Sequence, residues 1–220
     1  MKEKSFLFLG FLCALALAYG VPIVGPLFRA WAVSLHEVGH AFGALLTGGS
    51  IASLDVQWTH GTAWTRSGWY PVVSMAGYTA TALAGLCVWM LQKSKFWKSV
   101  WLVWMLTASV LLIVYNPFNL PLLFALICNV VITLLLFKDN SGWTTAFVST
   151  WLYWLQWQDV QQLLFYQPEN TDAALLAQHL GMGWLMWPIA LFYSVFPLWL
   201  SYKGYVWHKK AFLSKEKPLV

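Results

Sequence analysis

Long apolar stretches with few charged residues dominate the chain. Seven of them are candidates for transmembrane helices, which need about 20 apolar residues to cross a bilayer. They cover about residues 5–24, 26–46, 70–91, 100–115, 120–137, 144–155 and 183–202. The fourth and fifth are separated by Asn116-Pro117 and could instead form one broken hairpin. The pattern therefore predicts an all-α polytopic membrane protein with six or seven transmembrane helices.

Between the second and third stretches, apolar and polar residues follow a different repeat. Apolar and polar residues alternate from Leu54 to Thr59, which is typical of a half-buried strand. We expect a turn at His60-Gly61 and a returning strand over residues 62–66. A small β-hairpin is thus predicted directly after the second helix.

The composition agrees with membrane insertion. Of the 220 residues 60% are hydrophobic and 10% charged, and the mean hydropathy is +0.62, whereas globular chains are about 45–50% apolar and 25% charged. These values exclude a disordered chain, a disulfide scaffold and a nucleic-acid-binding arm. The net charge of +5 comes from short lysine clusters, which suit orientation in a lipid bilayer. With no internal repeat, residues 1–220 are expected to form one domain, and so compact a multi-pass chain suits a bacterial inner (plasma) membrane.

The sequence His36-Glu37-Val38-Gly39-His40 carries the candidate chemistry. Residues four apart share one face of a helix, so both imidazoles can bind one Zn²⁺ while Glu37 lies beside the attacking water. Ionisable residues inside an apolar helix cost several kcal/mol and therefore indicate function. The motif predicts His36 and His40 as metal ligands and Glu37 as the catalytic base. The alternative is a buried polar network that joins helices.

Several segments add a family resemblance to this motif. They are residues 34–41, residues 46–49, the Gly-rich hairpin at 61–66, the helix opening Ala76-Gly77-Tyr78 and the Asp- and Ala-rich residues 171–177. Together they resemble the site-2-protease class of intramembrane zinc metalloproteases (peptidase family M50), and its M50B-like branch in particular. The resemblance implies a zinc endopeptidase that cleaves membrane-protein or single-span substrates in regulated intramembrane proteolysis.

The third zinc ligand is not given by the motif. Catalytic zinc sites use three protein ligands and a water, and many site-2 proteases supply the third from a Leu-Asp-Gly motif that this chain lacks. The remaining candidates are Asp159, Glu169, Asp172 and His179. The resemblance of residues 171–177 to the branch favours Asp172, with Asp159 second. The alternatives are that Asp172 caps a helix and that Asp159 lies on a solvated helix face.

Two further features leave alternatives open. The hairpin edge could hold an unwound substrate by strand addition, or the hairpin could simply fill the space beside the site. Asn116 and Asn119 could bind the substrate backbone or belong to a packed helix break.

The missing Leu-Asp-Gly motif also supports a competing function, a non-proteolytic membrane scaffold or binding protein with a structural or degenerate metal site. A transporter is a third possibility, and the sequence gives no oligomeric state.

Overall fold

Seven α-helices and one two-stranded antiparallel sheet form the described part of the chain. The structure, a computed structural model, describes residues 24–91, 94–139, 142–161, 165 and 171–215. In chain order the elements are α1 (Val24–Leu46), β1 (Ser50–Val56), β2 (Gly61–Arg66), α2 (Tyr70–Met90), α3 (Lys95–Tyr115), α4 (Leu120–Lys138), α5 (Trp143–Gln161), α6 (Asp172–His179) and α7 (Met186–Lys215). A 3₁₀ turn at Gly183–Leu185 precedes α7.

Three of these helices, α2, α3 and α4, are long and apolar enough to cross a membrane. The described structure is therefore mostly helical, with three candidate membrane-spanning helices. The predicted number of six or seven spans stays a prediction, because the first predicted stretch lies outside the described residues apart from its last residue. The helix α1 is of similar length but carries Arg29, Glu37 and two histidines, and it is not among the three.

The helix α1 lies at the centre of the fold, where it packs against α2, α4 and both strands. Trp31, Leu35 and Val38 on this helix are fully buried. The close contact with α2 depends on glycine: a Cβ at Gly39 would lie 2.6 Å from the carbonyl oxygen of Ala76. Small residues at this contact let the two helix backbones approach closely, which brings α2 next to the metal-site motif.

A buried hydrogen-bond chain joins α1 to two neighbouring helices. The Trp31 indole donates to the side-chain oxygen of Asn129 at 2.7 Å, and the Asn129 amide donates to the Ser109 hydroxyl at 3.1 Å. Asn129 lies on α4 and Ser109 on α3. Because these polar groups satisfy one another inside an apolar core, they fix the orientation of α1 relative to α3 and α4.

The predicted β-hairpin is confirmed, but its turn lies earlier than expected. The backbone N–H of Gln57 donates to the carbonyl of His60 at 2.9 Å, so the turn covers residues 57–60 and β2 begins at Gly61. The predicted turn at His60-Gly61 is therefore wrong by a few residues. A register shift between Ile51 and Ser53 also interrupts β1. Such a bulge changes which side chains face the core.

The asparagines between α3 and α4 hold the end of β1. The Asn119 side-chain amide donates to the Val56 carbonyl at 3.2 Å, and the Asn116 side-chain oxygen accepts from the Val56 N–H at 3.0 Å. The Asn119 side-chain oxygen also accepts from the N–H of Leu122 at 2.8 Å and so caps α4. Both asparagines therefore bind the chain's own backbone, which favours the packed helix break over substrate binding.

Replacing Asn119 by alanine is expected to lower the free energy of unfolding by about 1–2 kcal/mol, because a helix cap and a strand contact are lost together. Equilibrium unfolding in an SDS titration of mixed micelles measures the change. Thr79→Ala is the matched control, because in the described part of the chain this hydroxyl bonds only to the Met75 carbonyl of its own helix. An equal loss in both variants would contradict the proposed attachment of β1.

Candidate metal centre

The residues of the candidate site line one cleft of about 310 Å³. Its walls come from α1, the hairpin turn and β2, the first turns of α2 and the start of α6. His36, Glu37 and His40 enter the cleft from α1, and Asp172 enters it from α6. The helix thus brings the motif residues together locally, whereas Asp172 reaches them through tertiary packing.

Three potential ligand atoms form a small triangle in this cleft. The Nε2 atoms of His36 and His40 are 3.0 Å apart, and the Asp172 Oδ2 lies 3.4 Å from the first and 3.3 Å from the second. Two ligands bound tetrahedrally to zinc at 2.0–2.1 Å are separated by about 3.3 Å. Among the described residues, these three form the one group of His, Cys, Asp and Glu side chains placed to hold a metal.

The two histidine rings are held in place by α2. The Nδ1 of His40 donates to the Val73 carbonyl at 2.7 Å, because a carbonyl only accepts. In the neutral ring that a metal requires, Nε2 is therefore the nitrogen that offers its lone pair. The ring of His36 packs edge-on against Tyr78 with centroids 4.7 Å apart. Both imidazoles therefore present Nε2 toward Asp172.

Gly77 on α2 leaves the space between the histidines open. A Cβ at this position would lie 2.5 Å from the Nε2 of His40 and 2.6 Å from the Nε2 of His36. Any side chain here would occupy the volume in front of both nitrogens. This vacant volume and the set of two imidazole nitrogens and one carboxylate are what a catalytic zinc ion requires, so the residues present fit that metal.

Glu37 lies beside the ligands and in contact with the hairpin. It is 6% exposed, and a Cβ on Gly61 would approach its Cγ at 2.7 Å and its Oε1 at 2.8 Å. Gly61 is the first residue of β2. The start of this strand therefore lies directly over the predicted catalytic carboxylate.

Asp172 is the first residue of α6, but it does not cap that helix. The Thr171 hydroxyl accepts the capping hydrogen bond from the N–H of Ala174 at 3.4 Å, which leaves the Asp172 carboxylate directed to the histidines. Burial disfavours its charged form, but the His40 and His36 imidazoles outweigh that effect and hold the pKa of this carboxyl well below its usual range. Asp172 is therefore an anion at neutral pH, the form that binds a metal.

Comparison with known proteins identifies the family. A model of the Peptidase M50B-like family matches residues 8–203, well over half of the chain. The chain belongs to this family. The predicted resemblance is confirmed, and membership supports a membrane-bound protease. Neither the curated proteins nor the solved structures give a match.

Of the other ligand candidates in this M50B-like chain, one lies outside the three-atom group, and the side chains of the other two are not described. Asp159 belongs to α5, but its side chain lies outside the described residues, as does all of Glu169. His179, at the end of α6, stacks on the ring of Tyr70 with centroids 4.5 Å apart and is not in the three-atom group. Asp172 is thus the acidic candidate that the described structure places beside both histidines.

Two contributors to the cleft were not predicted from the sequence. Arg29 donates from Nε to the Thr59 carbonyl at 3.0 Å and from a terminal nitrogen to the Gln158 side chain at 3.3 Å, so it ties the hairpin turn to α1 and α5. Its position seven residues before His36, two turns along the same helix face, was the available signal. The steric role of Gly77 had no sequence signal beyond its place in Ala-Gly-Tyr.

Proposed function

We propose that this M50B-like protein is an intramembrane zinc metalloendopeptidase that hydrolyses peptide bonds of membrane proteins. The observation that supports this most strongly is the triangle formed by the His36, His40 and Asp172 ligand atoms beside the buried Glu37. A purely structural zinc site is usually closed by four protein ligands. Three ligands and a neighbouring carboxylate in an accessible cleft are instead typical of hydrolysis.

The three ligand residues would hold the zinc, and Glu37 would move the proton. When bound, zinc would lower the pKa of a water toward 7 and polarise the scissile carbonyl. The Glu37 carboxylate takes a proton from the attacking water and passes it to the departing amine. Its burial against Gly61 keeps the carboxylate at the wall of the cleft, next to the ligand His36.

The hairpin offers a way to hold the substrate. Residues of β2 line the cleft, and within the described part of the chain β2 pairs only with β1. Its outer edge therefore has backbone groups that an extended peptide can bind by strand addition, with little demand on sequence. The proposed substrate is a membrane protein. Because the backbone groups of its transmembrane helix are engaged in the helix's own hydrogen bonds, the helix unwinds locally beside β2 before cleavage.

We place this activity in regulated intramembrane proteolysis at a bacterial inner membrane, where the protein is multi-pass. The three apolar helices and the lysines that follow the apolar stretches support insertion with those lysines on the cytoplasmic side. The catalytic motif lies on α1, which packs against the apolar helices α2 and α4. Cleavage therefore occurs within the bilayer or at its edge.

Metal content tests the proposed site. We expect about one zinc per chain in the wild-type protein after purification in detergent and zinc reconstitution, and a loss of most of it in His36→Ala and Asp172→Asn, because two ligands hold zinc poorly. Elemental analysis by mass spectrometry gives the ratio. Asp55→Asn, which changes a carboxylate in the hairpin that bonds to Gln57, is the matched control and keeps its zinc.

The outcomes separate the candidate functions. Absence of zinc from the reconstituted wild type would overturn the protease and leave the polar residues as a network between helices. Loss of zinc in His36→Ala but not in Asp172→Asn would remove Asp172 from the site and direct the same test to Asp159. Stoichiometric zinc without cleavage of any co-reconstituted single-span protein would favour the non-proteolytic scaffold.

A further inference from the structure

Asp172 is the one proposed ligand that is not on α1. Its position depends on how α6 packs against α2 and α7, and a shift of more than about 0.5 Å there would move the carboxylate out of the geometry that metal binding requires. The packing of α6 at this point includes two hydroxyl groups from other helices, Ser74 of α2 and Tyr193 of α7.

These two hydroxyls form a chain of hydrogen bonds that ends on the ligand residue. The Ser74 Oγ donates to the main-chain carbonyl of Asp172 at 2.9 Å. The Tyr193 hydroxyl donates to the Ser74 Oγ at 2.9 Å. A serine hydroxyl has one hydrogen and two lone pairs, so the two bonds are compatible and run in one direction, from Tyr193 through Ser74 to Asp172.

This chain of hydrogen bonds runs from an apolar cluster at Tyr193 to the wall of the cleft at Ser74. Ser74 is 4% exposed and Tyr193 is 3% exposed. Tyr193 belongs to a hydrophobic cluster that also contains Tyr78, Ala173, Leu176 and Ala190. Water cannot readily replace a lost partner of Tyr193 within this cluster, and Ser74 is largely buried although it also lines the cleft. Both hydroxyls are therefore expected to contribute more than exposed ones would.

The neighbouring residue on α2 orients a second ligand. The Val73 carbonyl accepts from the Nδ1 of His40, while Ser74 donates to the backbone of Asp172. Two consecutive residues of α2 thus contact one histidine ligand and the carboxylate ligand. Groups that orient metal ligands commonly change metal affinity by 10–100-fold when they are removed.

We propose that Ser74 and Tyr193 are positioning residues that set Asp172 at the distance from His36 and His40 which metal binding requires. The inference rests on the proposed zinc site. It adds that the affinity of that site is controlled from α7, through two side chains that are not themselves ligands.

The test is zinc affinity of the full-length protein in detergent, measured by competition with a chromophoric chelator. We expect Ser74→Ala and Tyr193→Phe each to raise the dissociation constant about 10–100-fold. Ser74→Thr, which keeps the hydroxyl, is expected to stay within a few-fold of wild type. The matched control is Ser194→Ala, because among the described residues this buried hydroxyl, next to Tyr193, bonds only to the Ala190 carbonyl of its own helix.

The double variant gives a second readout. Because the two hydroxyls act in series on one carbonyl, Ser74→Ala combined with Tyr193→Phe is expected to bind zinc about as weakly as Ser74→Ala alone. Independent contributions to helix packing would instead add. Thermal melting of each metal-free variant separates a change in stability from a change in affinity.

Three results are distinguishable. Zinc affinity that is unchanged in Ser74→Ala and Tyr193→Phe, while Asp172→Asn weakens it, would overturn the positioning role and leave the proposed site intact. Unchanged affinity in Asp172→Asn as well would overturn the three-ligand site itself. Equal weakening in Ser194→Ala would show that the effect comes from general packing of α7, and would also overturn the positioning role.

Discussion

Glu37→Gln is expected to lower peptide-bond hydrolysis by about 10²–10⁴-fold, the usual range for loss of general acid–base catalysis. The amide has nearly the same shape as the carboxylate, so the contact with Gly61 and the packing of β2 are preserved. It cannot take a proton from water. Cleavage of single-span proteins co-reconstituted into liposomes, followed by gel electrophoresis, gives the rate.

The same variant should keep its zinc, because Glu37 is not among the three ligand residues. Asp55→Asn controls for the loss of one negative charge and is expected to cleave at the wild-type rate. If Glu37→Gln retained full activity, the proton would have to be moved by another group and the proposed mechanism would fail. If it lost zinc along with activity, Glu37 would be a ligand rather than a base.

Gly77→Ala is expected to abolish zinc binding, even though it adds only one methyl group. That methyl would lie 2.5–2.6 Å from the Nε2 atoms of both His40 and His36, where the metal is proposed to bind. The α2 backbone cannot move away easily, because it packs so closely on α1 that even a Cβ at Gly39 would lie 2.6 Å from the Ala76 carbonyl oxygen, and interiors are close-packed. The zinc content of the purified variant is the measurement.

Gly85→Ala separates this effect from ordinary crowding. Gly85 is on the same helix, and its added methyl would meet the ring of Tyr153 at 2.6 Å, away from the metal ligands. We expect Gly85→Ala to lose stability by about 1–3 kcal/mol, as overpacked residues do, but to bind zinc normally. Normal zinc content in Gly77→Ala would refute the assignment of the metal to the space between the two histidines.

Local features of the structure were predictable because they depend on short-range periodicity. The apolar stretches gave α2, α3 and α4, and the i, i+4 spacing placed His36 and His40 on one face of α1. The alternation near Leu54 predicted the hairpin. Its turn was misplaced because the bond from Gln57 to His60 closes the chain before the Gly that marked the expected turn.

Contacts between residues far apart in the chain were harder to predict from the sequence. Nothing in the spacing of His40 and Asp172 indicates that they lie 3.3 Å apart; only the family resemblance favoured Asp172 over Asp159. The roles of Asn119 and Ser74 depend on which backbone group lies opposite, and that is decided by the packing of whole helices. Patterns of residue type along one segment do not contain this information.

The order of the ligands along the chain has a consequence for biosynthesis. In the proposed site two ligands and the base come from α1, whereas the third ligand, Asp172, is the first residue of α6. Two strands and four helices are synthesised between α1 and α6. A nascent chain that ends before α6 therefore has both histidines and Glu37 but lacks a complete metal site. In the proposed mechanism, peptidase activity therefore starts only once α6 has packed against α2 and α7.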